Sequence, residues 1–210
     1  MPALEKAGAG AAVRAMASRW RGRPLALIGF SLGGSRTLHL VGRRAEGRLL
    51  ARAVAVSAPL DLARCVDVLD GARPPLYTRY LLRGLKRQLR LRRDLAALVD
   101  VERALAAPSI RAFDDALIAP LHGFASAEDY YARCSAGPVL PDVAVPTLAI
   151  RAEDDPFLAR EDLAHFDAAS AQVEIVRTPR GGHVGFLDAR LRPWSLMRAA
   201  EWVVGGAGAG

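Results

Sequence analysis

Short apolar runs alternate with stretches of helical periodicity at both ends of the chain. Apolar residues that recur every three or four positions predict helices at about 4–19, 33–45, 158–170 and 194–204. Four short apolar runs are typical of strands buried in a parallel sheet: Leu25–Phe30, Ala51–Pro59, Val145–Ala152 and Ala171–Thr178. The alternation predicts an α/β fold in which right-handed βαβ units form a parallel sheet of about four strands, with helices on both faces.

A long segment in the middle of the chain interrupts this alternation. Between Asp61 and Ser135 no strand pattern appears, and helical stretches are broken at Pro74-Pro75 and Pro108. We therefore expect a single domain over 1–210 that carries a helical lid insertion at 61–135. The glycine-alanine sequence at 205–210 is expected to be a disordered tail.

A G-x-S-x-G motif, Gly29 to Gly33, lies between the first predicted strand and the helix that follows it. In this context the motif forms a sharp, strained turn that holds a serine hydroxyl beyond the end of the sheet. Ser31 is therefore the candidate nucleophile, and the flanking glycines are expected to let strand and helix approach closely. The backbone N–H of Leu32, at the helix start, is the candidate hydrogen-bond donor to an oxyanion.

A nucleophilic serine needs a base, which four histidines could supply. His183 lies just beyond the fourth predicted strand, in the sequence RGGHVGF. Its glycines allow the backbone to bend and present the imidazole at the carboxyl edge of the sheet, where ligands bind in open α/β sheets. His183 is therefore the candidate base. His39 is expected to be a packing residue, His122 falls in the lid, and His165 falls in a helix near the surface.

The acid of such a triad is expected after the third predicted strand. There the sequence AIRAEDDPF supplies Glu153, Asp154 and Asp155. One carboxylate must reach the imidazole, while a neighbouring one caps the next helix or faces water. We favour Asp155, because Pro156 fixes the chain next to it and the strand register points it inwards. Asp154 is the alternative.

Four sequence motifs closely resemble the YheT-like branch of the α/β-hydrolase superfamily: GFSLGG, FDDALIAPLHGFASAEDYYARCS, PTLAIRAEDDPFL and GGHVGFL. They occur in the order of that family, and the resemblance extends over about 25–202. It implies a triad of Ser31, Asp155 and His183 and the hydrolysis of acylglycerol, phospholipid or medium-chain acyl esters. It also implies roles in lid packing and pocket shape for four residues: Phe113, Asp114, Tyr130 and Tyr131.

The beginning of the sequence departs from this family. Family members carry a longer N-terminal portion, with further strands and an H-G-type loop that donates the second oxyanion N–H, whereas this sequence starts one helix before Leu25–Phe30. We therefore expect an N-terminally incomplete α/β-hydrolase domain in which that strand is an open edge. Loss of one oxyanion donor typically lowers a rate by on the order of 100–1,000-fold, so weak activity is expected.

Composition fits a soluble globular domain. Of the 210 residues 51% are hydrophobic and 24% charged, and no apolar stretch reaches the roughly 18 residues of a membrane-spanning helix. The first residues lack the basic and apolar regions of a signal peptide. Cys65 and Cys134 form neither a disulfide framework nor a metal-binding pattern. We expect a cytoplasmic protein with no metal and no other cofactor.

The net charge of +7 comes almost entirely from arginine, most densely between Arg79 and Arg93. Leucines recur among these arginines at near-helical spacing, which favours an amphipathic helix packed on the protein and solvated on its basic face. The alternative is peripheral contact with a membrane surface through phosphate or acidic lipid headgroups; a nucleic-acid partner is not expected. The leucines are Leu81, Leu82, Leu85, Leu89 and Leu91.

Two classes of function stay open at this point. The first is an enzyme acting on a small-molecule or lipid ester: a serine esterase, or an acyltransferase that passes the same acyl group to an alcohol. The second is a catalytically impaired fragment that acts as an interaction or membrane-surface module. The intact Ser–Asp–His set favours the enzyme.

Overall fold

A computed structural model describes residues 8–71 and 76–205. The chain forms two compact units. One, called the α/β unit below, contains residues 8–60 and 135–205; the other, the helical unit, is Asp61–Cys134.

The strands of the α/β unit are β1 (Ala26–Phe30), β2 (Arg52–Val56), β3 (Thr147–Ala152) and β4 (Val173–Thr178). They form one parallel sheet in the order β1-β2-β3-β4. Its α-helices are α1 (Ala9–Arg19), α2 (Leu32–Arg43) and, after β4, α9 (Trp194–Gly205). The α/β architecture predicted from the sequence is confirmed.

The sheet is covered on both faces because successive side chains of a strand point to opposite sides. On one side Ala53 and Ala55 of β2 join a buried cluster with Leu38 of α2. On the other side Val54 and Ile150 join a second cluster with Ala199 of α9. The two inner strands are therefore nearly completely buried, whereas β1 forms an edge of the described sheet and exposes both of its end residues.

The segment that follows β3 differs from the prediction. The helix expected over 158–170 is a 3₁₀-helix at Arg160–Ala168. Asp162 in its first turn is buried, and its Oδ2 accepts hydrogen bonds from the Leu60 N–H at 2.9 Å and from Arg151 at 3.4 Å. The tighter winding accompanies this inward tether, which a periodicity argument built on apolar residues does not include.

Some predicted features lie outside the described residues. These are positions 4–7 of the first predicted helix, the Pro74-Pro75 break and positions 206–210 of the predicted tail. Gly205, placed in that tail by the sequence, is the last residue of α9.

The helical unit contains α3 (Leu62–Gly71), α4 (Leu76–Leu91), α5 (Val101–Ala106), α6 (Ile110–Phe113), α7 (Ala119–His122) and α8 (Ala127–Cys134). A π-helical turn, Asp114–Ile118, joins α6 to α7. The core of the helical unit is a single apolar cluster that includes Phe113 and Tyr131, both almost fully buried. No helix in the described ranges is long and apolar enough to cross a membrane. The assignment of this unit as a lid stays a prediction.

Candidate active site

Ser31 occupies the turn between β1 and α2, with a backbone φ of 52° and ψ of −127°. Its N–H donates to the Val56 carbonyl at 2.8 Å, and its own carbonyl accepts from the Gly34 N–H at 2.8 Å. A non-glycine residue at positive φ costs on the order of 1–3 kcal/mol, so the surrounding structure must hold it there. The strained turn therefore presents the hydroxyl beyond the carboxyl end of β1.

Close packing around the start of α2 depends on Gly29 and Gly34. A Cβ on Gly29 would overlap the Gly33 carbonyl and the Thr37 hydroxyl, and one on Gly34 would lie 2.9 Å from the Ala58 Cβ. Gly33 differs, because a Cβ there would meet nothing within 4 Å. The expectation that both glycines flanking the serine allow close approach was thus wrong for Gly33. Gly34 instead allows α2 to approach Ala58, which follows β2.

Hydrogen bonds join Ser31, His183 and Asp155 in one chain. His183 Nε2 lies 2.7 Å from Ser31 Oγ, and His183 Nδ1 lies 2.9 Å from Asp155 Oδ2 and 3.1 Å from Oδ1. The Asp155 side chain has no exposed surface, and that of His183 is 14% exposed. A carboxylate at Nδ1 keeps the proton on that nitrogen, which leaves Nε2 free to accept the serine proton.

The loop after β3 supplies a second contact to the histidine loop. Asp154, the alternative acid of the sequence analysis, does not face the imidazole: its Oδ1 accepts the Gly182 N–H at 2.8 Å. Gly182 has a φ of +62°, a conformation that suits glycine. Asp154 is therefore bonded to the backbone immediately before His183.

Phe157 is a neighbour of the candidate triad that the sequence motifs did not identify. Its N–H donates to Asp155 Oδ1 at 3.0 Å, which fixes the rotation of that carboxylate. Its ring meets the His183 imidazole edge-on, with centroids 5.0 Å apart and planes at 82°. The only sign of this contact in the sequence is the DDPF motif, which places an aromatic residue two positions after the acid.

Phe186 anchors the far side of the histidine loop. It is buried at a φ of 41°, its N–H donates to the Gly181 carbonyl at 2.8 Å, and its ring stacks on Trp194 at 6.2 Å. A Cβ on Gly181 would overlap the Phe186 ring. Gly182 is therefore needed for the bend of the loop, and Gly181 for its packing against Phe186.

Leu32 is the first residue of α2. Within residues 8–71 and 76–205, its backbone N–H has no hydrogen-bond acceptor. The Leu32 side chain is 41% exposed. A helix N-terminus carries partial positive charge. The arrangement leaves this donor available to an oxygen that gains negative charge beside Ser31.

The other histidines occupy different places. His39 Nε2 lies 2.9 Å from the Ser135 carbonyl, and the half-buried His165 ring packs against Gly137. His122 ends α7 in the helical unit. Within the described residues, His183 is the histidine bonded to Ser31.

Two of the motif residues in the helical unit form a buried polar contact. The Tyr131 hydroxyl donates to Asp114 Oδ2 at 2.7 Å. Burial raises the pKa of Asp114 to about 6; nearby Asp70 adds to the rise, while the Tyr131 hydrogen bond and Arg111 oppose it. Burial also raises the pKa of Tyr131. Burial therefore leaves a carboxyl group with a pKa of about 6 inside a packed helical core.

Known proteins resemble this chain in sequence. The sequence profile of the α/β hydrolase family matches residues 3–193. The chain belongs to that family. It is 37% identical over 188 residues to the putative esterase YheT of Escherichia coli, an alignment that covers 86% of this chain and 55% of that protein. It is 29% identical over 193 residues to the monoacylglycerol lipase of Saccharomyces cerevisiae, covering 87% and 42% respectively.

Solved structures show the same fold at lower identity. The monoacylglycerol lipase of Paleococcus ferrophilus superposes with a TM-score of 0.53 at 19% identity, covering 94% of this chain and 74% of that one. The chain spans about half the length of the curated relatives it matches.

Proposed function

We propose that this protein is a serine hydrolase that cleaves carboxylic esters, with Ser31 as nucleophile, His183 as general base and acid, and Asp155 as the orienting acid. The observation that carries the proposal is the continuous set of hydrogen bonds from the buried Asp155 carboxylate through the imidazole to the hydroxyl of a strained serine. Positioning a base within 2.7 Å of the hydroxyl supports proton transfer during attack.

Acylation begins when Ser31 Oγ attacks the ester carbonyl carbon and its proton moves to His183 Nε2. The carbonyl oxygen becomes an oxyanion, to which the Leu32 N–H donates. The carbon–oxygen bond to the alcohol then breaks, and the departing alkoxide takes the proton from Nε2. The alcohol leaves, and the acyl group stays on Ser31 as an ester.

Deacylation repeats the sequence with water. The oxygen of a water molecule attacks the acyl carbon while His183 Nε2 accepts a proton from that water. The same proton then passes to Ser31 Oγ as the acyl–serine bond breaks. The carboxylic acid is released and the hydroxyl is restored. Throughout, the Asp155 carboxylate stabilises the imidazolium without taking its proton.

Esters with an apolar acyl group are the proposed substrates: acylglycerols, phospholipids or medium-chain acyl esters. Phe30 and Leu32 flank Ser31, and Val184 follows His183; all three expose apolar side chains. The similarity to a monoacylglycerol lipase supports the same class. Apolar surface beside the reacting groups favours an acyl chain over a charged substrate.

Fluorophosphonate labelling together with p-nitrophenyl ester turnover tests the proposal. We expect one probe molecule per chain, located at Ser31 by peptide mass spectrometry, and hydrolysis whose kcat/KM rises from acetate to medium-chain esters. Ser31→Ala should remove labelling and lower turnover by on the order of 10⁴-fold or more. Analysis of products with an added acceptor alcohol separates hydrolysis from acyl transfer.

Ser57 provides a matched control. It also has positive φ, at 49°, and is fully buried, but its hydroxyl has no partner among the described residues. Ser57→Ala should therefore leave labelling at Ser31 and turnover close to wild type. Labelling that persists in Ser31→Ala, or an unlabelled wild-type protein without esterase activity, would contradict the proposal.

A further inference from the structure

Helix α4 presents two different faces. Thr78, Leu82 and Leu89 are buried and face the core of the helical unit. On the opposite side, Leu76, Tyr80, Arg83, Arg87 and Leu91 follow one another at intervals of three or four residues. Such spacing places side chains along one line of a helix, about 24 Å long for sixteen residues. These five residues are called the outer face.

Large apolar side chains stand exposed on the outer face. Leu76 is 67% exposed, Tyr80 71% and Leu91 79%. The leucine spacing predicts that Leu91 packs with the other leucines. That expectation was wrong, because Leu91 is 79% exposed and faces away from the core that contains Leu82 and Leu89. Apolar groups at both ends of an otherwise cationic face are unusual for a helix side that only meets water.

The arginines of α4 have no acidic partner in the part of the chain that the structure describes. The helix contains no Asp or Glu. Within the described ranges, Arg79, Arg83, Arg87 and Arg90 form no ion pair, whereas Arg111 in the same unit pairs with two carboxylates. Among the described residues, these guanidinium groups are therefore not tied up in ion pairs within the helical unit.

We propose that the outer face of α4 binds the surface of an anionic phospholipid bilayer, with the helix lying in the plane of the interface. The guanidinium groups would meet lipid phosphates, while Leu76, Tyr80 and Leu91 enter the boundary between headgroups and acyl chains. A helix with cationic and exposed apolar residues on one side is suited to this position. The exposed apolar residues favour a lipid surface over nucleic acid, because the arginines alone would be enough to bind nucleic-acid phosphates.

This proposal goes beyond ester hydrolysis and does not depend on it, because binding is measured without turnover. The full chain is mixed with phosphatidylcholine vesicles or with vesicles of phosphatidylcholine and phosphatidylglycerol, and the bound fraction is measured by co-sedimentation. A parallel series with Ser31→Ala excludes any effect of lipid cleavage. We expect binding to the anionic vesicles alone, weakening as salt is added.

Two double variants separate the charged and apolar contributions. Each arginine near an anionic membrane strengthens binding by about fivefold, so Arg83→Ser with Arg87→Ser should weaken it about 25-fold. Tyr80→Ser with Leu91→Ser keeps every charge and removes two inserting side chains. It should weaken binding at least about tenfold while leaving the salt dependence unchanged.

The matched control changes the same charge elsewhere. Arg23 and Arg48 are exposed arginines of the α/β unit, and Arg23→Ser with Arg48→Ser should change vesicle affinity by less than about threefold. Circular dichroism checks that each variant keeps its helical content.

Several results would overturn the proposal. Equal losses in the control and in the outer-face arginine variant would mean that net charge, not this face, attracts the vesicles. Absence of wild-type binding to anionic vesicles would exclude the lipid surface. Tight binding to duplex DNA or RNA that Tyr80→Ser with Leu91→Ser leaves unchanged would identify a nucleic-acid surface instead.

Discussion

Replacing Asp155 with Asn should disable the triad by reversing one hydrogen bond. Asp155 Oδ1 accepts the Phe157 N–H, and Oδ2 lies nearer to His183 Nδ1. An Asn in this place keeps its carbonyl oxygen on the Phe157 N–H, because an amide NH₂ there would face another donor. Its NH₂ then points at Nδ1 and donates to it. The imidazole must carry its proton on Nε2, the nitrogen that should accept the proton of Ser31.

The expected loss is large. Holding a triad histidine in the wrong tautomer lowers kcat by about 10⁴-fold in a serine protease, or about 5.5 kcal/mol of transition-state stabilisation. We expect a similar drop for Asp155→Asn in kcat/KM on a p-nitrophenyl ester. The rate of fluorophosphonate labelling should fall in parallel, while thermal unfolding changes little.

Asp154 supplies the control in the same loop. Asp154→Asn retains an oxygen that can accept the Gly182 N–H, so activity should stay within about threefold of wild type. Asp154→Ala removes that acceptor and should lower kcat by on the order of tenfold, since a hydrogen bond to a charged group contributes about 1.5 kcal/mol or more. Two results would refute the assignment of Asp155 as the acid of the triad. One is a loss of activity in Asp154→Asn as large as that in Asp155→Asn, and the other is an Asp155→Asn protein that keeps a tenth or more of wild-type activity.

Three further substitutions test strain, titration and packing around these groups. Ser31→Gly should be more stable than Ser31→Ala by about 1 kcal/mol in urea unfolding, because glycine relieves the positive φ; the usual order, with alanine more stable, would contradict this. Asp114 has a folded pKa of about 6, above its ordinary value, so its contribution to stability is complete below about pH 4 and is lost as pH rises through 6. The free energy of unfolding of Asp114→Asn, measured in urea, should therefore exceed that of wild type by an amount that grows by at most ~3 kcal/mol between about pH 4 and 8. A difference that stays constant with pH would show that Asp114 does not titrate in this range. Gly181→Ala should lower kcat/KM at least about tenfold and destabilise by about 1–3 kcal/mol, as measured by ester hydrolysis and urea unfolding, because its methyl group displaces Phe186; unchanged kinetics would show that the loop adapts.

The sheet and the serine turn could be predicted because their signals are local. A buried parallel strand needs a continuous apolar run, and the turn after it needs small residues around Ser31, so both leave a pattern in neighbouring positions. The choice between Asp154 and Asp155 was harder, since both follow β3 directly. It rested on Pro156, and the structure has Asp155 at the imidazole and Asp154 at the Gly182 N–H.

Contacts that join distant parts of the chain left no such pattern. Asp162 is buried because its carboxylate accepts hydrogen bonds from Arg151 and from the backbone N–H of Leu60. Leu60 lies about a hundred positions earlier in the chain. Nothing in the neighbouring sequence distinguishes it from the exposed acids around it. The outward direction of Leu91 was missed for a related reason: spacing identifies a helix, but which of its two apolar sides is buried depends on what packs against it.

The candidate triad is held by backbone conformations that are unfavourable in isolation. Ser31 and Phe186 both have positive φ, and each costs on the order of 1–3 kcal/mol. The nearly fully buried strands β2 and β3 provide the packing that maintains them: Val56 accepts the Ser31 N–H, and Phe186 lies in the apolar cluster that contains Ile150. Because that strain fixes the serine hydroxyl and the histidine loop, substitutions that relax it should gain stability at the expense of activity. The same gain at a strain-free position of either strand should leave activity intact.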